Sequence, residues 1–492
     1  MSRRAAPKAN TGAPRREGSP VNTGPIMGRG KLRLAFYGDD FTGSTDALEV
    51  LAFAGVRTAL FLAPPTPAML ERFGALDAIG VAGDSRAMSP QEMDRHLPPL
   101  FDALAAIDVP IIHYKVCSTF DSAPSIGSIG RVMEIARKRF AAPFIPIVAG
   151  TPALGRYCLF GHLFARSGTD DRVHRIDRHP IMSVHPVTPM DESDLARHFV
   201  KQARLSIVNL PYPVFDAGRD AVDAQLRALA DARPDIRPDA VVLDAATPSH
   251  LTEVGRLLDA QARASAPLFV VGSSGAEYAL TQWWQELEGI RKPEQDYSRF
   301  AGVDRVLALS GSASKLSALQ IDAAISAGFA DIPVDATALV DDAQGTRAAE
   351  DIVTKATALL QQGRSVILHT ARGPDDPRID AMLAALEARG QTREQARHEG
   401  GRTLGMRLGH VAREILRAVP LQRLLLSGGD TSSQVTKVLA PDALVVAARL
   451  ARGAPLCRFV ATDARVDGME VALKGGQMGD VDFFEKARRG NA

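Results

Sequence analysis

Cysteine is scarce in this chain: Cys117, Cys158 and Cys457 are the only three in 492 residues. They lie far apart and form no CxxC pair. This argues against a disulfide scaffold or a structural zinc site and fits a reducing cytoplasm. A surplus of charge is missing too, since 58 Lys and Arg face 57 Asp and Glu, for a formal net charge of +1. No nucleic-acid partner and no anionic membrane surface is therefore expected. No apolar run reaches the length of a membrane span. There is no GxGxxG to open a dinucleotide fold, no GxxxxGK[ST] phosphate loop and no HExxH or other metal-ligand spacing.

What is present is ordinary globular material, 46% hydrophobic and 23% charged, and long enough for two or three domains. Residues 1–30 are rich in Arg, Pro, Gly and Ala and lack the apolar core of a secretory signal, so a disordered tail is expected there, with Met27 a candidate start. From residue 31 apolar runs alternate with helical stretches. Strands are expected at 33–37, 58–63, 78–82, 109–116 and 144–148, and helices at 44–54, 91–107 and 191–204. The charged, Pro- and Gly-punctuated stretch 284–303 reads as a linker between a domain at 31–283 and a second at 304–485. The expected fold is α/β. Each domain is a mostly parallel, Rossmann-like sheet flanked by helices, and the active site lies in the cleft between them.

The stretch LAFYGDDFTGSTD (34–46) carries the most information. A buried strand runs into Asp39 and Asp40, and a Gly/Ser/Thr turn then opens a helix. Open α/β sheets bind ligands at such strand ends. Two adjacent carboxylates repel each other unless a cation, a substrate hydroxyl or a transferable proton offsets them. The plain alternative is one Asp capping the helix beside a solvated neighbour. At other strand ends Arg86, Lys115 and Asp121 bring charge to the same edge. Arg86 could clamp a carboxylate bidentately, though a surface role is the ordinary one. Cys117 has no His or Asn pattern to make it a nucleophile and reads as a small packed residue. His185, in a Pro-stiffened loop, could touch substrate or be structural.

In the second half SGSAS (310–314) and SGGDTSS (427–433) repeat one design, a buried strand feeding small residues that precede a helix. Gly allows close backbone approach, and helix N-termini favour anions. Ser310, Ser312, Gly428, Gly429, Asp430 and Thr431 are thus candidates for a nucleotide site. The loop at Gly453 and KGGQMG (474–479), with Lys474, could complete a phosphate or adenine cradle, although either alone reads as turn chemistry.

Together these segments resemble the four-carbon acid sugar kinases, a family first described as a domain of unknown function. GDDFTGSTD (38–46), YKVCSTFDS (114–122), GSIGR (127–131), TPALGR (151–156) and HPVTPM (185–190) look like its amino-terminal acid-sugar domain, which LDAATPSHL (243–251) and VVGSSG (270–275) continue. LSGSAS (309–314), SGGDTSS (427–433) and the Gly453 loop look like its nucleotide-binding domain. The resemblance implies ATP- and Mg²⁺-dependent phosphorylation of a short sugar acid. Asp39 or Asp40 would orient or deprotonate the hydroxyl, and Arg86, Lys115, Asp121 and His185 would stand around the acid. Ser310 or Ser312, Gly428 to Thr431 and Gly453 would hold ATP. CSTFDS resembles the branch acting on 3-oxo acids, 3-oxo-tetronate or 3-oxo-isoapionate, rather than the DSTLRG of the D-threonate branch. Two departures stand out: AGDSR (82–86) replaces a KTR-type segment, and Asp430 stands where many members carry Glu. Kinases of threonate, erythronate or glycerate, a non-catalytic sensor and a nicotinamide-dependent oxidoreductase are the competing readings. A homo-oligomer is left open.

Overall fold

The computed structural model describes residues 32–491 except 168–170, 186, 266, 288–292 and 294. The tail expected at 1–30, and residues 288–292 and 294 of the expected linker, lie outside the described residues. The amino-terminal strands are β1 (Leu34–Gly38), β2 (Thr58–Phe61), β3 (Ala78–Ala82), β4 (Ile111–Lys115) and β5 (Ile145–Val148). A small antiparallel sheet follows, made of β6 (Arg156–Leu159), β7 (His162–Arg166) and β8 (Val173–Arg175). Then come β9 (Ile207–Leu210), β10 (Ala240–Leu243) and β11 (Leu268–Gly272). The carboxy-terminal strands are β12 (Leu307–Ser310), β13 (Ala330–Pro333), β14 (Val366–His369), β15 (Arg423–Ser427), β16 (Ala443–Ala451), β17 (Ala454–Val460) and β18 (Glu470–Lys474).

The strands become strands because they can be buried on both faces. Every residue of LAFYG in β1, AVVL in β10 and RLLLS in β15 is buried, the signature of parallel strands covered by helices on each side. The helix Phe41–Phe53 is buried over most of its surface, Thr45, Ala47 and Val50 as well as Phe41, Ser44, Leu48 and Leu51. It begins where Asp40 caps it, the Asp40 Oδ1 accepting from the Gly43 amide at 2.8 Å, and it is left behind at Gly55, whose φ of +94° suits only glycine well.

The two sheets are not separate. They join in one 15-stranded sheet of order β13-β14-β12-β15-β18-β17-β16-β2-β3-β1-β4-β11-β5-β10-β9. From β2 to β9 all neighbours are parallel; on the other side β13 to β18 are parallel, and β17 and β16 turn antiparallel to reach β2. The seam is narrow, with Ala443 opposite Phe61 and Leu444 opposite Leu60. Gly453, expected in a loop after a strand, lies in the turn of the β16–β17 hairpin, with φ +71°. Two boundaries also move. The expected linker opens inside the helix Gly275–Glu286, because Trp284 is buried there. The helix expected at 191–204 is only Leu195–Val200, capped by Asp194. Among the described residues no helix is long and apolar enough to cross a membrane.

Each half of the sheet has a point where the chain reverses direction across it. One lies between β1 and β4, the other between β12 and β15. The loops after these strands hold Asp39, Asp40 and Cys117 in the first half, and Ser312 and Gly428 in the second. These are the places where open α/β sheets leave a crevice.

Candidate active site

Asp39 is buried and Asp40 half-buried at the end of β1. The cation that offsets them is Arg86, from the loop after β3. Its Nη2 and Nε donate to Asp39 at 2.7 and 3.1 Å, and its Nη1 donates to Asp40 Oδ2 at 2.8 Å. The Arg86 fork thus faces the aspartates. Burial, opposed by Arg86 and reinforced by the charge of Asp40, pushes the Asp39 carboxyl up to about 6. Asp40 is the helix cap of the plain reading, but Asp39 is a buried, perturbed carboxyl rather than a solvated neighbour.

Lys115, buried at the end of β4, lies 3.5 Å from Asp46. Burial disfavours its charge, yet Asp46, Asp40 and Asp39 together hold its pKa above the ordinary value. Asp121 follows in the same loop. Thr119 donates to it at 2.5 Å and the Thr188 hydroxyl at 3.1 Å, while the Thr188 amide donates to His185 Nδ1 at 3.1 Å. His185 therefore reaches the cluster through Thr188. Burial raises the Cys117 thiol, with Asp121 adding to it, which is the wrong direction for a nucleophile. Asp39, Asp40, Arg86, Lys115 and Asp121 form one cluster at the ends of β1, β3 and β4.

The nucleotide candidates gather at the ends of β12 and β15. Ser310 and Ser427 are opposite one another in register, as are Ser427 and Lys474. A row of Ser310, Ser427 and Lys474 thus crosses three neighbouring parallel strands. All three are wholly buried, and neither serine hydroxyl has a partner among the described residues. The Lys474 ammonium donates to the Gly475 carbonyl at 3.2 Å, and burial pulls it down to about 8. Buried donors in this state are costly unless something meets them. Gly428 has φ +110° and precedes the helix Gly429–Leu439. Ser314 and Ser317 hold the Gly476 carbonyl, so the 474–479 loop lies against the Ser312 turn. Gly453 sits farther round this ring. Its α-carbon packs under Met478 and its amide donates to Glu49 Oε2 at 2.9 Å.

The two clusters meet. The helix Phe41–Phe53 and the helix Gly429–Leu439 bring their N-termini together, and a side chain at Gly429 would begin 4.0 Å from the Thr42 hydroxyl. Lys437 pairs with Asp84 at 2.6 Å across the same junction. Asp430 is exposed as a residue, yet partial loss of solvent around its carboxyl raises its pKa; His398 opposes this, and the nearby charge of Asp40 adds to it. Asp40 and Asp430, from the two halves, are thus near enough for the charge of Asp40 to act on Asp430. Among the described residues no group of three or more His, Cys, Asp or Glu could hold a metal unaided.

Glu49 is a residue that the sequence hid. On a helix it looks like part of a solvated face, but it lies between the halves. Burial, then the charge of Asp46, push its carboxyl up to about 8 against the Gly453 amide and Arg449 and Arg452. The folded state therefore holds a proton that the unfolded chain releases near 4.5. Stability from this group is complete below that pH and is lost as pH rises to about 8. Glu49→Gln should remove this loss. Its melting temperature relative to the parent should climb by a few degrees between pH 5 and pH 9, as read by calorimetry; a difference that stays flat with pH would assign the raised pKa to another group.

Residues 34–280 match the sugar-binding N-terminal domain and residues 307–484 the nucleotide-binding C-terminal domain of one protein family. The chain is 42% identical over 461 residues to the 3-oxo-isoapionate kinase of Paraburkholderia graminis, covering 93% of this chain and 94% of that one. It is 28% identical over 466 residues to the 3-oxo-tetronate kinase of Brucella melitensis, covering 93% and 95%. A crystal structure from Salmonella typhimurium LT2 shares the fold with a TM-score of 0.70 at 24% identity, covering 93% of this chain and 99% of that one. Haemophilus influenzae protein HI1011 follows with 0.64 at 23% identity, covering 92% and 99%.

Proposed function

Because the chain belongs to the family that joins a sugar-binding N-terminal domain to a nucleotide-binding C-terminal domain, the four-carbon acid sugar kinases, we propose that it phosphorylates a hydroxyl of a short 3-oxo sugar acid with ATP. The observation that carries this reading is the meeting of the two helix N-termini, one beside the Asp39–Asp40 pair and one beside the Gly428 turn. Phosphoryl transfer asks for a donor and an acceptor held in line, with charge neutralised around them and little covalent chemistry from the protein. A transferring group seated between two helix N-termini would have amide donors on both sides.

In this reading Asp40 receives the proton of the acceptor hydroxyl, and Asp39 fixes Arg86. Lys115 balances the local negative charge, with Arg86, Asp121 and His185 standing around the acid. Ser310, Ser312, Gly428, Gly429, Asp430 and Thr431 face the phosphates, and Gly453 borders the nucleotide through the Met478 loop. Mg²⁺ is commonly held by one or two carboxylates plus phosphate oxygens, and Asp430 would supply such a carboxylate. When bound, the ion neutralises phosphate charge. The 42% identity to the 3-oxo-isoapionate kinase favours that acid over 3-oxo-tetronate.

The test is ADP release with ATP and Mg²⁺ against erythronate, threonate, their 3-oxo forms, 3-oxo-isoapionate and glycerate. Turnover should be strongest with a 3-oxo acid. Equal or better turnover of glycerate or threonate would remove the 3-oxo assignment, and nucleotide binding without any turnover would make the protein a sensor.

A further inference from the structure

We infer that Arg156 is the residue that binds the carboxylate of the acid. The inference rests on the acid-kinase reading above and names the part of that site which recognises an acid as opposed to a neutral sugar. The cations nearest Asp39 and Asp40 are already engaged. Arg86 spends its fork on both aspartates, and Lys115 sits among Asp46, Asp40 and Asp39. Each of these cations meets as much negative charge as it carries, so a substrate carboxylate arriving there would meet little net attraction.

Arg156 is different. It opens β6, directly after the turn Pro152–Leu154 and Gly155. Its Nε donates to the Ser118 hydroxyl at 3.3 Å, and its Nη1 donates to the carbonyls of Leu154 and Arg166 at 3.0 and 3.2 Å. Each of these acceptors is neutral, and Nη2 has no partner among the described residues. A partly buried guanidinium with only neutral acceptors keeps its full charge in surroundings that solvate it poorly. A carboxylate is the planar, two-oxygen anion that a guanidinium edge matches best.

The position suits the reaction. Ser118 follows Cys117 in the loop after β4, and the Lys115 carbonyl of that strand accepts the Asp39 amide at 2.9 Å. Arg86, Asp121 and Arg156 all act on the Cys117 thiol electrostatically. Arg156 therefore approaches the same loop as the aspartate cluster without being bound into it. A short acid lying over Cys117 would present its carboxylate to Arg156 and a hydroxyl towards Asp40. The opposite half of the molecule braces this turn, because Arg452 of the β16–β17 hairpin donates to the Ala153 carbonyl at 2.8 Å.

The experiment is steady-state kinetics of the parent, Arg156→Gln and Arg156→Lys. The substrates are the acid that the parent turns over and its primary amide, which keeps the carbon skeleton and loses the charge. Binding of ADP, followed by its thermal shift, reports fold and nucleotide site separately. Arg156→Gln should raise the KM for the acid about ten- to hundredfold, erase the preference for acid over amide, and leave the ADP shift unchanged. Arg156→Lys keeps the charge without the fork and should raise that KM about tenfold. An Arg156→Gln enzyme that keeps both the parental KM and the preference for acid overturns the inference. Should that variant fail to show the ADP shift, an unchanged KM in Arg156→Lys overturns it equally. A parent that turns over no acid at all would defeat the kinase reading itself.

Discussion

Asp40→Asn should lower kcat by roughly a hundredfold to ten-thousandfold while leaving the melting temperature and the ADP thermal shift close to those of the parent. The two readouts should separate because Asp40 has two roles that the substitution treats differently. As the cap of the helix Phe41–Phe53 it accepts from the Gly43 amide, and asparagine caps a helix about as well as aspartate. As a base it must carry a negative charge, which asparagine cannot. The ion pair to Arg86 is also lost, but Asp39 retains two hydrogen bonds to that guanidinium, so Arg86 is not stranded. Asp39→Asn is the informative companion. Asp39 is buried and its two oxygens face Arg86, so neutralising it leaves a half-buried cation with Asp40 alone for balance, a change that should cost less than the about 3–5 kcal/mol of a fully buried pair. That variant should lose stability as well as rate. Parental turnover in Asp40→Asn would remove it from the chemistry.

The second large effect is expected at Gly428. Gly428→Val should raise the KM for ATP by about ten- to hundredfold and weaken the ADP thermal shift, with the KM for the acid little changed. Two strains act together. The φ of +110° lies where side chains are rarely accommodated, and a Cβ there would stand 3.1 Å from the Ser312 amide nitrogen and 3.4 Å from the Gly311 carbonyl carbon. Those neighbours are backbone and cannot rotate away. A strained backbone position of this kind costs about 1–3 kcal/mol, and here the relief would have to come from moving one Gly/Ser turn against the other. Since both turns are nucleotide candidates, the damage should appear in nucleotide affinity. Unchanged ATP kinetics would mean that ATP lies on other loops.

How far the sequence revealed all this depends on how local each feature is. A strand that ends in Asp39 and Asp40, and strands that end in Ser310 and Ser427, announce themselves because an apolar run, a turn and a helix follow within about twenty residues. The partners of those residues were harder to read. Nothing near Arg86 indicates that its fork closes on two aspartates more than forty residues away, and an arginine after a strand is as often on the surface. Glu49 was invisible for the same reason, because its burial comes from a hairpin about four hundred residues downstream. The pairing of β2 with β16 has no local signature either, since each strand alone is a plain apolar run. β17 is hidden by the small-residue turn at Gly453, which looks like the start of a loop, although APLCRFV after it is apolar enough for a strand. The strands β6 to β8 are short and half-exposed and have too few apolar positions to declare a period.

The seam between β2 and β16 gives the joint between the halves a particular mechanical character. In many two-domain enzymes the domains swing on loops, and closure rotates a few backbone torsions. Here the halves are also riveted by a ladder of main-chain hydrogen bonds two residue pairs wide, backed by the ion pair of Arg72 with Asp442 at 2.7 Å. Such a ladder resists shear and separation but yields to twist, the soft deformation of a β-sheet. The joint therefore behaves as a torsion bar. A change of twist there would turn one half against the other while keeping the pairs Ala443 with Phe61 and Leu444 with Leu60.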